Sequence, residues 1–180
     1  MLAIQLPDGP EPPPASTFHC EAPGGHYEKY DVAGGGDVLQ ARVRMLRPEA
    51  DPIWYPGAGL LFVLPGKRSY AGVQVFRDPN HRKELTVGLR TPHDDSPTPI
   101  ARVPIAASPE VYTRFDHGVL TVGIAGSPKS VERSVKLHAD SSVGRILMCT
   151  SGAFDFQLEN GLAVRPLEAQ AQAKAPERGD

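Results

Sequence analysis

Three polar side chains alternate with apolar ones in "DVLQARVRML": Gln40, Arg42 and Arg44 between Leu39, Ala41, Val43 and Met45. In an extended chain successive side chains point to opposite faces, so the two sets separate. Arginine and amide groups on one face suit recognition of a carboxylate, a sugar or another polar small molecule. "SYAGVQVFRD" repeats the pattern, with Ala71, Val73 and Val75 on one side and Tyr70, Gln74 and Phe76 on the other. Placed beside the 38–46 strand in one concave sheet, it would set Arg42 and Arg44 above an aromatic floor. Tyr112 and Arg114 of "EVYTRFD" extend that face, and Asp116 follows them. The opposing expectation is a solvated sheet face on which arginines lie over aromatics.

Trp54 stands in "PIWYPG", a loop bounded by Pro and Gly. It is a candidate for stacking on a sugar or planar ligand, or an anchor for the loop itself. "TPHDDS" offers His93, Asp94 and Asp95, and "RDPNH" offers Asp78, Asn80 and His81. Hard oxygen ligands of this kind suit calcium, and the same residues are ordinary turn formers. No ligand pair has the usual zinc spacing. No nucleophile elbow, phosphate loop or Cys–His signature is present. His117 beside Asp116 sits in a turn, where water surrounds it, and His26 and Tyr27 follow "PGG". The expected cofactor is none, with calcium as the one alternative.

These residues need rigid strands beneath them. The chain has 180 residues, 40% hydrophobic and 22% charged, as a single soluble domain with tails would. A net charge of −2 without a basic run argues against nucleic-acid partners. No apolar stretch reaches the ~20 residues of a membrane helix. The N-terminus has no basic start and no sustained apolar segment, so a cytoplasmic protein is expected. Cys20 and Cys149 are the only cysteines. Their pairing stays open, and two reduced thiols fit the expected compartment.

The 18 glycines and 19 prolines disfavour long helices. Period-two alternation recurs in "KELTVGLRT", "EVYTRFD", "GVLTVGIAG", "SVERSVKLHA" and "AFDFQLEN". "GLLFVLPG" and "GRILMCT" are apolar on both faces, as central strands are. "FDHGVL" reads as a hairpin with Gly118 at positive φ. Roughly nine to eleven strands, joined by turns and without crossover helices, must be mostly antiparallel. The expected fold is all-β: a two-sheet antiparallel β-sandwich of jelly-roll type over 17–164. A Pro-rich tail precedes it at 1–16 and a polar tail follows at 165–180.

The order of "GLLFVL", "YAGVQVFRD", "ELTVGLRT", the "YTRFDHGVLTVGIAG" hairpin and "GAFDFQLEN" resembles the concanavalin-A-like lectin/glucanase superfamily, including laminin-G-like domains. The match covers about residues 30–160 and rests on core alternation and turn glycines. It implies a jelly-roll sandwich, and in laminin-G-like members calcium at loop carboxylates. The superfamily's glucanases use a Glu-x-Asp-x-x-Glu strand, whereas "FDFQLE" has Asp155 and Glu159 without the third carboxylate. Its alginate lyases use an Arg strand and a Gln-x-His strand. "LQARVRM" is loosely similar to the first, and no Gln-x-His follows. Catalysis therefore does not transfer. The expected function is a non-catalytic module binding a carbohydrate or other polar small molecule. The candidate residues are Gln40, Arg42, Arg44, Trp54, Tyr70, Gln74, Tyr112 and Arg114. Two alternatives are a small β-sandwich isomerase, lyase or cyclase with a shape-defined pocket, and a self-assembling or protein-interaction domain.

Overall fold

A computed structural model describes residues 16–34, 36–48, 55–66, 69–126, 131–159 and 162–167. The described residues form thirteen strands and two one-turn 3-10 helices. The strands are β1 (Ser16–Glu21), β2 (Tyr27–Ala33), β3 (Val38–Met45), β4 (Gly57–Val63), β5 (Tyr70–Phe76), β6 (Glu84–Arg90) and β7 (Thr98–Pro104). They continue as β8 (Glu110–Asp116), β9 (Val119–Ile124), β10 (Val131–Lys136), β11 (Gly144–Thr150), β12 (Ala153–Leu158) and β13 (Ala163–Pro166). They build a two-sheet antiparallel β-sandwich. One sheet has six strands in the order β1-β12-β3-β8-β9-β10, and the other has seven in the order β13-β2-β11-β4-β5-β6-β7.

The alternation read from sequence sets the dry side of each strand. Leu39 and Val43 of β3, Leu120 and Val122 of β9, and Phe154 and Phe156 of β12 face Val73 and Val75 of β5 and Leu85 and Val87 of β6 in one buried core. Nonlocal edges receive a weaker pattern. Four strands lie outside the clearest alternating stretches: β1, β2, β7 and β13. Three of these are sheet edges among the described strands, with one described neighbour each. β7 carries Pro99 and Pro104, which an edge strand tolerates because half its amides need no ladder partner.

The strands apolar on both faces behave as central strands should. β4 and β11 pair in the middle of the seven-stranded sheet, with Leu61 opposite Ile146. Leu61, Ile146 and Met148 form a second buried cluster on its outer face, with Val63 and Tyr70 packed against it. The expected hairpin is present: Asp116 pairs Val119, and the two turn residues His117 and Gly118 take φ of 46° and 76°. Two positive φ values in a two-residue turn match the right-handed twist of the flanking strands.

Candidate functional site

The outer face of the six-stranded sheet gathers most of the polar residues singled out in the sequence. β3 runs between β12 and β8, so Arg44 stands opposite Asp155, Arg42 opposite Gln157 and Glu110, and Gln40 opposite Tyr112. The inward neighbours Leu39, Ala41 and Val43 are fully buried, which fixes the outward set rigidly. Arg44 Nη2 donates to Asp155 Oδ2 at 2.5 Å, and His19 Nδ1 lies 3.0 Å from Asp155 Oδ1. Arg42 Nη2 donates to Glu110 Oε2 at 3.1 Å. Gln40 Nε2 donates to Glu110 Oε1 at 2.7 Å and to Glu159 Oε2 at 3.1 Å. Guanidinium, amide and carboxylate groups are thus held in planar, mutually braced positions. Thr17, Arg42, Arg44, Ser108, Asp155 and Gln157 line an open depression of about 220 Å³. A second depression of about 270 Å³ shares Arg42 and Ser108 and reaches Glu110.

Tyr112 forms the aromatic part of this face. Its register partner on β9 is Gly123, whose next partner on β10 is Glu132. A Cβ on Gly123 would meet the Tyr112 hydroxyl at 2.4 Å and its ring carbons at 2.6 and 2.7 Å. The ring therefore lies across β9 in the space a side chain would fill. Its hydroxyl donates to Glu132 Oε2 at 2.6 Å on the far side. Burial, and then the Glu132 carboxylate, push the phenol up to about 12, so it stays a donor at neutral pH. Arg114 stands outward on the next row, opposite Val38 and Thr121.

The carboxylates of this face divide by environment. The hydrogen bond from Arg44, then that from His19, hold Asp155 below the usual carboxylate range. Its ionised form is favoured in the folded state, so this stabilisation is present above the unfolded pKa and is lost as pH falls through the folded one. Glu159 goes the other way, raised by burial and then by the neighbouring charge of Glu110. Its contribution is present below the unfolded pKa and lost as pH rises through the folded one. Glu159→Gln keeps the acceptor for Gln40 and removes the repelled charge. It is expected to raise stability at pH 7 by less than about 1 kcal/mol. The gain should vanish toward pH 4, as urea melts at both pH values would show. A variant no more stable at pH 7 than at pH 4, each against wild type, contradicts this.

Topology corrects the expectation that Arg42 and Arg44 share a face with Tyr70 and Gln74. β3 and β5 lie in different sheets, and their outward sides point to opposite surfaces of the sandwich. Alternation fixes which side of a strand is dry, not which layer the strand joins. Gln74 is 7% exposed on the outer face of the seven-stranded sheet, where Arg90 Nη1 lies 3.4 Å from its Oε1. Tyr70 accepts a hydrogen bond from Lys29 Nζ at 3.1 Å, and that ammonium also sits 4.5 Å from the Tyr70 ring centroid. Both are engaged by their own sheet. Trp54 lies outside the described residues.

The loop residues act as turn formers. Asp78 Oδ1 accepts from the Asn80 amide at 2.9 Å and Oδ2 lies 3.2 Å from His81 Nδ1, which caps the turn at Pro79–His81. Asp94 Oδ2 accepts from the Thr91 hydroxyl at 2.6 Å. Among the described residues no group of three or more His, Cys, Asp and Glu side chains could hold a metal ion. His117 pairs with Asp116 at the wet hairpin tip, its side chain 94% exposed. Glu110, Glu132, Gly123 and His19 join the face without having been singled out in the sequence. Glu110 was legible as the next outward position before Tyr112, but its neighbour Arg42 is 68 residues away.

Fold and face together define a β-sandwich with a polar, tyrosine-bearing outer sheet surface. No protein-family model matches the chain, and no curated protein matches it. Among solved structures it is similar to the CBM2 module of the evolved Dit of Lactobacillus casei BL23 phage J-1, at 8% identity. That likeness covers 85% of this chain and 70% of that one, with a TM-score of 0.43. It is also similar to a legume lectin-like domain from Entamoeba histolytica, at 9% identity over 88% of this chain and 82% of that one, with a TM-score of 0.38. Among the described residues no helix is long and apolar enough to cross a membrane.

Proposed function

We propose that this chain is a non-catalytic binding module that holds a carbohydrate on the outer face of the six-stranded sheet. The observation that carries the reading is Tyr112, laid across Gly123 beside rows of braced amide, guanidinium and carboxylate groups. A pyranose ring has an apolar C–H face and a rim of hydroxyls. A flat aromatic takes the first, and planar polar side chains take the second as donors and acceptors. Gln40, Arg42, Arg44, Tyr112 and Arg114 serve this role, with Glu110, Asp155 and Gln157 completing the polar rows. The braced groups are already ordered, so little side-chain entropy is lost when a ligand binds.

Calorimetric titration of the full chain against a panel of neutral, acidic and amino oligosaccharides tests the proposal. Tyr112→Ala is expected to weaken the best ligand about 10- to 100-fold, the effect of removing a buried aromatic contact. Gly123→Ala tilts the same ring off the sheet and leaves it in the protein, and it should weaken binding in the same direction. Arg44→Ala should reduce affinity through the hydroxyl contacts. Sugar binding that survives all three substitutions unchanged would rule out this face.

A further inference from the structure

Cys20 and Cys149 belong to different layers. Cys20 points inward from β1, the edge of the six-stranded sheet, where it pairs with Phe154. Cys149 points inward from β11, third from the edge of the seven-stranded sheet. Both are free thiols, 1% and 0% exposed. Cys149 Sγ lies 3.7 Å from the Cys20 carbonyl oxygen and 3.3 Å from that of Gly152. Cys149 thus reaches the Cys20 backbone from the opposite sheet, and both side chains lie in the same buried core. At this place the sheets are joined by the Cys149 hydrogen bond to the Cys20 carbonyl and by packing, through Cys20, Cys149 and the neighbouring edge-on contact of Phe18 with Tyr30, whose ring centroids are 4.8 Å apart.

We propose that Cys20 and Cys149 are a disulfide site that covalently ties the two sheets together when the protein folds or opens in the presence of a small-molecule disulfide. One cysteine thiolate attacks a sulfur of the oxidant, forms a mixed disulfide and releases one small thiol. The second thiolate attacks the protein-bound sulfur, closes the Cys20–Cys149 bond and releases the second small thiol. The two cysteines lose two protons and two electrons in total, and the oxidant is reduced to two thiols. The neighbouring Cys149, and then burial, push the Cys20 thiol up and keep it protonated in the closed sandwich, so the closed form is inert. Among the described strands β1 has β12 as its one ladder neighbour, and local opening of this edge exposes Cys20. The bond would span a sequence separation of 129 residues, and long closed loops restrict the unfolded chain most.

The test uses the full chain, unfolded under reducing conditions and refolded in a glutathione redox buffer. Intact mass, free-thiol titration and non-reduced peptide mapping follow. The expected product is a monomer lighter by two hydrogens, without free thiol, in which one linked peptide pair contains Cys20 and Cys149. Its melting temperature should rise by roughly 5–10 °C and return on reduction. Cys149→Ala or Cys20→Ala abolishes both the link and the rise. The wild-type measurement decides the matter even where a variant does not fold. A refolded monomer that keeps both thiols overturns the proposal. So do glutathione adducts on the separate cysteines, or a link found only between two chains. The outcome is independent of sugar binding.

Discussion

Gly72→Ala is expected to cost the sandwich about 3 kcal/mol or more, against a total of about 5–15 kcal/mol for a typical domain. Gly72 lies on β5 opposite Leu61 of β4. A Cβ there would stand 2.3 Å from the Leu60 carbonyl oxygen and 3.0 Å from Leu61 Cα. Both obstacles are backbone. β4 is clamped between β11 and β5 in the middle of its sheet, so it cannot retreat without breaking ladder bonds on its other side. Gly123 offers the contrast. Its added Cβ would meet the Tyr112 side chain, which can rotate away. The pair of alanine variants should therefore separate in urea denaturation, with Gly72→Ala losing most of its midpoint and Gly123→Ala keeping much of it. Equal midpoints would show that the β4–β5 approach is not close.

Phe62→Ala carries the second large effect. Phe62 faces inward from β4 and is 1% exposed. Its ring centroid is 5.8 Å from that of Phe115 on β8, with the planes inclined at 42°. The two rings come from opposite sheets, so this contact ties one layer to the other. Removal of the ring loses its transfer free energy and leaves a cavity that rigid strands cannot close, about 3–5 kcal/mol together. The melting temperature should fall by roughly 8–15 °C. Phe62→Leu keeps most of the volume and should cost about 1.5 kcal/mol or less. A double-mutant cycle with Phe115→Ala should show coupling of about 0.5–1.5 kcal/mol from the ring pair. A drop below about 1 kcal/mol for Phe62→Ala would mean that the ring is not part of the core.

Much of this was legible in single strands. "DVLQARVRML" and "AFDFQLEN" alternate cleanly because each lies with one side on the core and the other on solvent. β2, read from "YEKYDVA", gives no such rhythm, because aromatic and charged residues occur on both sides: Tyr27 with Lys29 on the outer one, and Glu28 in line with Tyr30, which packs against Phe18. The polar rows were half legible. Gln40, Arg42, Arg44, Tyr112 and Arg114 were identifiable as outward positions, and so were Asp155, Gln157 and Glu159. Their meeting was not legible, since Arg44 and Asp155 are 111 residues apart.

The residue order by itself determined the sandwich class, the dry side of the main strands and the hairpin at His117–Gly118. These follow from steric and solvation preferences between residues one or two positions apart. Tertiary structure alone decided that β3 lies between β12 and β8, that Arg42 and Tyr70 look to opposite surfaces, and that Tyr112 rests on Gly123. It also decided that Cys20 meets Cys149. Each of these depends on which distant strands the two layers bring together, and that choice is made by the fit of the whole core, to which any one strand contributes only a part.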